Sequence, residues 1–347
     1  MAHLMTNALA DLVAAGMVPD DDPGAMGTVD IPFLARISPA MRALISLPDD
    51  PIARQFVPDA RELDVKPWEV SDPIGDRAHM PVKGVVHRYP DRALLKLTTT
   101  CPVHCRFCFR KDMIGPAAHE ALSREELDAA FEYISKNKKI WEIVVTGGDP
   151  LALSPRRIGA VTKRLGTIPH VQIVRWHSRV PVVSPETVTN QMCAALTATD
   201  KTVYVAVHTN HAAEHTGPAG AACLRLRKAG IVLVGQTVLL KGINDDAEVL
   251  AELMRSCVRL GIKPYYLHLL DRARGTSHFR VPLARAVELV TALRGHISGL
   301  CQPMLMLDLP GGYGKVPIAD GGIVARDGRR YIVRDHLGRD HDYVEHD

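Results

Sequence analysis

"ALLKLTTTCPVHCRFCFR", residues 93–110, joins two kinds of text. Its first eight residues are apolar or threonine with a single lysine, and they read as a strand. The rest carries Cys101, Cys105 and Cys108 at C-x3-C-x2-C spacing, with Arg110 two residues further on. A strand running straight into a cysteine loop places three thiols at a strand's C-terminal end, which is where parallel α/β folds keep their chemistry.

Downstream, five more runs repeat the strand pattern: "WEIVVTGG" (141–148), "VQIVRWHS" (171–178), "TVYVAVHT" (202–209), "IVLVGQTVLL" (231–240) and "PYYLHLLD" (264–271). Amphipathic helical stretches separate them. Ser123 with Glu126 forms a capping box, Ser154 and Ser184 each precede a proline suited to a first helical turn, and Asn244 opens a helix that stops at Gly261. Six βα units with no G-x-G-x-x-G after the first strand predict an α/β fold, a partial (β/α)6 TIM-like barrel, over a doubly wound dinucleotide fold. Beyond the sixth unit, "MLMLDLPGGYGK" (304–315) reads as one more strand entering a glycine loop, and "GGIVARDGRRYIVRD" (321–335) as a hairpin turning at Asp327-Gly328. The expected organisation is an N-terminal helical region over residues 1–90, the barrel over 91–302, and a lysine loop with a C-terminal β extension over 303–347.

A hydrophobic fraction of 46% with 23% charged residues describes a globular chain, not a disordered one. The net charge of +3 is too mild to imply stable nucleic-acid binding. No apolar run reaches a membrane span, and the first residues lack a signal peptide's layout, so a cytoplasmic protein is expected. Four of the seven cysteines (Cys193, Cys223, Cys257 and Cys301) are scattered through apolar helical text and read as core.

Three clustered thiolates can hold three irons of a [4Fe-4S] cluster, leaving the fourth iron open to the amino and carboxylate groups of S-adenosylmethionine (SAM). Structural zinc with His104 or a distant histidine as a fourth ligand is the competing reading. "TGGDP" (146–150) ends the second strand, and its glycines let backbone approach a ligand with free amides. "LDLPGGYGKVP" (307–317) fails as a phosphate loop, because Leu309 stands five before Gly314 and Val316 follows Lys315. A lysine behind glycines suits instead a Schiff base with the aldehyde of pyridoxal phosphate (PLP). "HTNHAAEH" (208–215) offers His208, His211 and His215 as a metal group.

The cysteine motif resembles the radical SAM superfamily. From "HRYPDRALLKLTTTC" through "PGGYGKVP", roughly residues 85–318, the chain is similar to the lysine 2,3-aminomutase family of PLP-dependent radical SAM enzymes. That resemblance implies an isomerase converting L-lysine to β-lysine with a [4Fe-4S] cluster on Cys101, Cys105 and Cys108. It implies that Lys315 holds PLP, that Arg88 and Arg179 hold its phosphate, and that Gly147, Gly148, Asp149, His208 and Gln236 line the SAM site. Arg110 would take the substrate carboxylate, and Asp271 and Asp308 its distal ammonium, a pair that disfavours an acidic tail. An electron donor such as flavodoxin or ferredoxin is implied, and a homo-oligomer is allowed.

Catabolic members carry a C-terminal cysteine cluster for zinc, and no cysteine follows Cys301 here. "LDRARGTSHF" (270–279) resembles the branch whose β-lysine is attached to elongation factor P, whereas "LDLPGGYGK" resembles the catabolic branch. Alternatives are an aminomutase acting on another amino acid such as glutamate, an RNA-modifying radical SAM enzyme, and a non-enzymatic iron-sulfur module.

Overall fold

A computed structural model describes residues 35–113, 121–318, 323–328, 330–334 and 339–344. One nine-stranded sheet runs in sequence order through β1 (Val85–Tyr89), β2 (Arg92–Thr98), β3 (Glu142–Gly147), β4 (Ile173–Ser178), β5 (Thr202–His208), β6 (Val232–Val238), β7 (Lys263–His268), β8 (Met304–Leu309) and β9 (Gly314–Pro317). Strands β2 to β8 are parallel, and β1 and β9 are antiparallel edges. The six strands expected from the sequence are β2 to β7, and "MLMLDL" is the seventh parallel strand, β8. The sheet continues across residues 90 and 303, so both expected domain boundaries fall inside it.

The two edges meet. The amide of Lys315 on β9 donates to the Tyr89 hydroxyl on β1 at 2.8 Å. Gly314 makes this approach feasible, because at φ +96° its Cβ would stand 2.8 Å from that hydroxyl. The result is a nearly closed partial barrel.

Helices α1 (Arg124–Lys136), α2 (Pro155–Gly166), α3 (Asn190–Leu196), α4 (Gly217–Lys228), α5 (Ala247–Arg259) and α6 (Leu283–Leu293) cover the outside. Alternation along β2 sends Ala93, Leu95 and Leu97 into the apolar layer beneath them, with Phe131 and Ile134 of α1. Each fully buried side chain of this kind contributes about 1.5–3 kcal/mol. The opposite parity, Arg92, Leu94, Lys96 and Thr98, belongs to the lumen face, which is where the chemistry lies.

Ser123 and Glu126 do form a capping box, and Ser154 caps α2 ahead of Pro155. Ser184 makes no side-chain cap; Pro185–Thr187 is only a 3-10 turn. Asn244 is not a cap either. It is buried, accepting from the Leu240 amide and donating to the carbonyls of Asn210 and Val238, while Asp246 caps α5. Within residues 35–84 the N-terminal layer is made of single-turn helices, Pro39–Arg42 and Ala53–Phe56, and 3-10 turns. The C-terminal hairpin pairs β10 (Ile323–Asp327) with β11 (Arg330–Arg334), and β12 (Asp340–Val344) extends it; Gly321, Gly322 and Asp335 lie outside the described residues.

Candidate active site

A cavity of about 470 Å³ occupies the lumen, and all nine strands contribute to its wall. Every residue assigned a site role from the sequence lines it, from the three cysteines to Lys315.

The cysteine loop is shaped from below by a buried ion pair. Arg106 donates to Glu62 through Nε at 2.7 Å and Nη2 at 2.6 Å, and Lys111 reaches the same carboxylate at 3.0 Å. Removing one partner of such a pair strands a buried charge, at about 3–5 kcal/mol. Phe107 joins Leu240, Ile243, Leu270 and Phe279 in a small apolar cluster over the loop. Burial pushes the Cys108 thiol up to about 11 and moves Cys101 upward as well. Such thiols become thiolates when a cation pairs with them, as cluster iron does. No group of three or more His, Cys, Asp or Glu side chains among the described residues converges on one point as for a single metal ion. A cubane makes no such demand, because each thiolate binds a different iron. His211 accepts from the Ala213 amide, and His215 bonds Thr209 and Ser256, so these two histidines serve local structure while His208 lines the cavity.

At "TGGDP" the structure corrects the expectation of free amides. The Gly148 amide donates to the Thr98 carbonyl at 2.5 Å and that of Asp149 to Thr100 at 2.8 Å. The glycines are needed for this contact with the cysteine loop: a Cβ on Gly147, at φ +131°, would lie 2.2 Å from Thr98 O. The Asp149 carboxylate is likewise spent, accepting from Ser178 Oγ and the amides of Leu151, Arg179 and Val180. Asp149 therefore fixes the end of β4 and has no vacancy for a SAM contact.

The Arg179 guanidinium donates to Glu214 at 3.0 Å, to Gln55, and to Cys105 Sγ at 2.8 Å. It stands at the cysteine loop, paired with a buried acid, and its Nε is buried without a partner, as in Arg88 and Arg110.

On the β7–β9 side, Asp308 lies directly across the ladder from Lys315. Their side chains meet at 2.5 Å, and His268 Nδ1 lies 3.4 Å from the same oxygen. The second oxygen, Oδ1, is buried with no partner. Burial works to raise the Asp308 carboxyl, but His268 and Lys315 hold it low, at about 2. Asp271 goes the other way: burial, then the charge of Asp308, pushes it up to about 7. His208 and His177 meet edge to face at 5.6 Å, each with a buried, unpartnered Nε2, and burial keeps both imidazoles neutral.

The Radical SAM superfamily model matches residues 95–254. An L-lysine 2,3-aminomutase of Acetoanaerobium sticklandii is 36% identical over 93% of this chain and 78% of that protein. The chain belongs to the lysine 2,3-aminomutase family of radical SAM isomerases. The family's proteins of the same name from Clostridium subterminale and Escherichia coli are 36% and 33% identical, over 84% and 78% of this chain and 70% and 78% of theirs.

The aminomutase cofactors are a [4Fe-4S] cluster, SAM and PLP, and unpartnered polar atoms in the cavity fit them. His208, with a buried unpartnered Nε2, and Gln236 line the same cavity as the cysteines; Arg88 and Arg110 each keep a buried Nε without a partner, as an anion site requires. Sequence reasoning missed Asp76, Lys96, His177 and His268. Only Lys96 left a readable signal: a lysine at a lumen-facing position of an otherwise apolar parallel strand. Among the described residues no helix is long and apolar enough to cross a membrane.

Proposed function

We propose that this aminomutase converts L-lysine to β-lysine, moving the α-amino group to the β-carbon with PLP bound at Lys315. The reading is carried by one observation: Asp271 and Asp308 share a cavity with Arg110, Lys315 and the three cysteines. A cation site and an anion site in one lumen suit an amino acid with a cationic tail, and two carboxylates repel an acidic one.

The cluster with SAM supplies a hydrogen-abstracting radical, and PLP a conjugated system that supports nitrogen migration. Cys101, Cys105 and Cys108 would hold the cluster, and His208, Gln236 and the Gly147–Gly148 backbone would border SAM. Arg88 would hold the PLP phosphate. Arg110 binds the α-carboxylate through charge-assisted bonds. Asp308 serves two ammonium groups: that of Lys315 in the ligand-free chain, and the substrate tail once Lys315 is engaged. Lumen burial excludes water from a reactive radical, and the charged anchors fix which β-hydrogen is exposed.

The test is anaerobic. Iron, sulfide and PLP are reconstituted, SAM, reductant and L-lysine are added, and chiral chromatography reads β-lysine. β-Lysine without stoichiometric loss of SAM is expected. SAM cleavage with no β-lysine would overturn the substrate assignment and turn attention to glutamate.

A further inference from the structure

Two cavity-lining arginines and a buried lysine converge on one buried carboxylate. Asp76, 2% exposed, precedes a 3-10 turn of the N-terminal layer. Its Oδ2 accepts from Arg110 Nη2 at 3.1 Å and lies 3.6 Å from Lys96 Nζ, and its Oδ1 lies 3.5 Å from Arg88 Nη2. The four residues come from the N-terminal layer, β1, β2 and the cysteine loop. One carboxylate does not balance three cations, so the cluster keeps an excess of positive charge that Asp72 and Asp271 offset only from further away. Burial alone would raise the Asp76 carboxyl, yet the charge of Arg110 and then of Lys96 holds it low and ionised.

The donors show which edges are left over. Arg110 uses Nη1 on Thr146 Oγ1 at 3.2 Å and the Gly147 carbonyl at 3.4 Å, and Nη2 on Asp76. Arg88 uses Nη2 on the Ile74 carbonyl and Asp76. In both, Nε is buried and unpartnered. Each guanidinium is thus held through its Nη groups and keeps its Nε–H as a free donor for a carboxylate or phosphate oxygen. Lys96 is in register beside Thr146, the other partner of Arg110. A carboxylate shared among three cations attracts Arg110 less than one bound to it alone.

We infer that Asp76, with Lys96 as its counter-cation, is the positioning residue that sets Arg110 for the substrate carboxylate and Arg88 for the cofactor phosphate at one fixed spacing. This rests on the lysine aminomutase reading.

The test compares wild type, Asp76→Asn, Lys96→Met and the double variant as reconstituted holoenzymes. For Asp76→Asn, KM for L-lysine is expected to rise about ten-fold with kcat little changed, the effect of one charge-assisted bond. PLP affinity, read by absorbance titration, should weaken by a similar factor. L-lysinamide, whose carboxylate is a neutral amide, should compete as well as with wild type. The double variant should lose less than the two single losses combined, because no charge is left stranded. Should Asp76→Asn melt early or lose iron, the double variant, which deletes one charge of each sign, carries the same measurements. Wild-type KM and PLP affinity in the folded variants, or a loss confined to kcat, would overturn the inference. A wild type that makes no β-lysine overturns the substrate reading instead, and the PLP titration still decides whether Asp76 positions Arg88.

Discussion

The two charged clusters in the lumen are built on opposite plans. Around Asp76, one carboxylate is outnumbered by Arg88, Lys96 and Arg110, drawn from four separate parts of the chain. Around Asp308, two carboxylates meet one lysine and a neutral histidine, all on or just after β7, β8 and β9. Each cluster keeps a vacancy of one sign: unpartnered guanidinium Nε atoms in the first, an unpartnered carboxylate oxygen in the second. Buried groups of this kind oppose folding until a ligand completes them, which is consistent with the proposed substrate reaching from Arg110 to Asp308 and the cofactor phosphate at Arg88. The difference in plan also separates the duties. The first cluster is rigidly cross-linked; the second contains a lysine that must change partners.

The largest effect should come from removing that lysine. Lys315→Ala is expected to abolish β-lysine formation and the PLP absorbance, roughly 330–430 nm for a Schiff base, while the iron-sulfur absorbance stays. Loss of both absorbances would mean that the two halves of the lumen do not fold independently of Lys315, and would break the separation of duties.

Next in size, Asp308→Asn and Arg110→Lys set one cluster against the other. Truncating a buried charge pair costs about 2–5 kcal/mol, so kcat/KM for lysine should fall by roughly a hundred-fold in Asp308→Asn. Norleucine, which lacks the distal ammonium, should inhibit this variant about as well as wild type. Arg110→Lys keeps the charge but loses the planar fork, and should weaken lysine and norleucine alike, by about ten-fold. If Asp308→Asn weakened norleucine as much as lysine, the Asp308 cluster would not be the tail site.

How much of this was legible follows from where the contacts lie along the chain. Strands β2 to β8 and their caps at Ser123 and Ser154 rest on local patterns, and the sequence read them. Strand β1 was absorbed into the N-terminal region, because "VVHRY" is a short antiparallel edge with an irregular register and no alternation of its own. Asn244 read as a cap because its partner Asn210 is remote in sequence, and the real cap, Asp246, stood two residues on. Lys315 stood out by the glycines before it and Asp308 by the family resemblance, but their contact across the β8–β9 hairpin was not foreseen. Asp76 was not legible at all: nothing in "SDPIGDRAHM" (71–80) signals that it meets Arg110, 34 residues further on. For the same reason the partners of Arg179 were not legible, since Glu214 and Gln55 reach it from distant segments.

The smallest effect is a pH dependence confined to the Asp308 cluster. Asp271 is pushed up to about 7, first by burial and then by Asp308, against the opposing charges of Lys315, Arg110 and Arg280. As pH rises through that value Asp271 ionises, and its attraction for an ammonium grows. KM for lysine should therefore fall several-fold between about pH 6 and pH 8, and Asp271→Asn should flatten the profile. Stability runs the opposite way without ligand. The unfolded carboxyl ionises in its ordinary acidic range while the folded one does not, so this group's contribution to stability falls as pH climbs towards 7 and stays lost above it. A substrate ammonium reverses that penalty, which makes thermal stabilisation by lysine larger at the higher pH. The Asp76 cluster contains no carboxyl raised in this way: Asp76 is held low, and burial and then Arg110 move the Lys96 ammonium downward, so Asp271 should set the profile near neutral pH. A profile that followed Asp76 instead would place the titrating group in the cationic cluster and leave Asp271 as a fixed, neutral part of the wall.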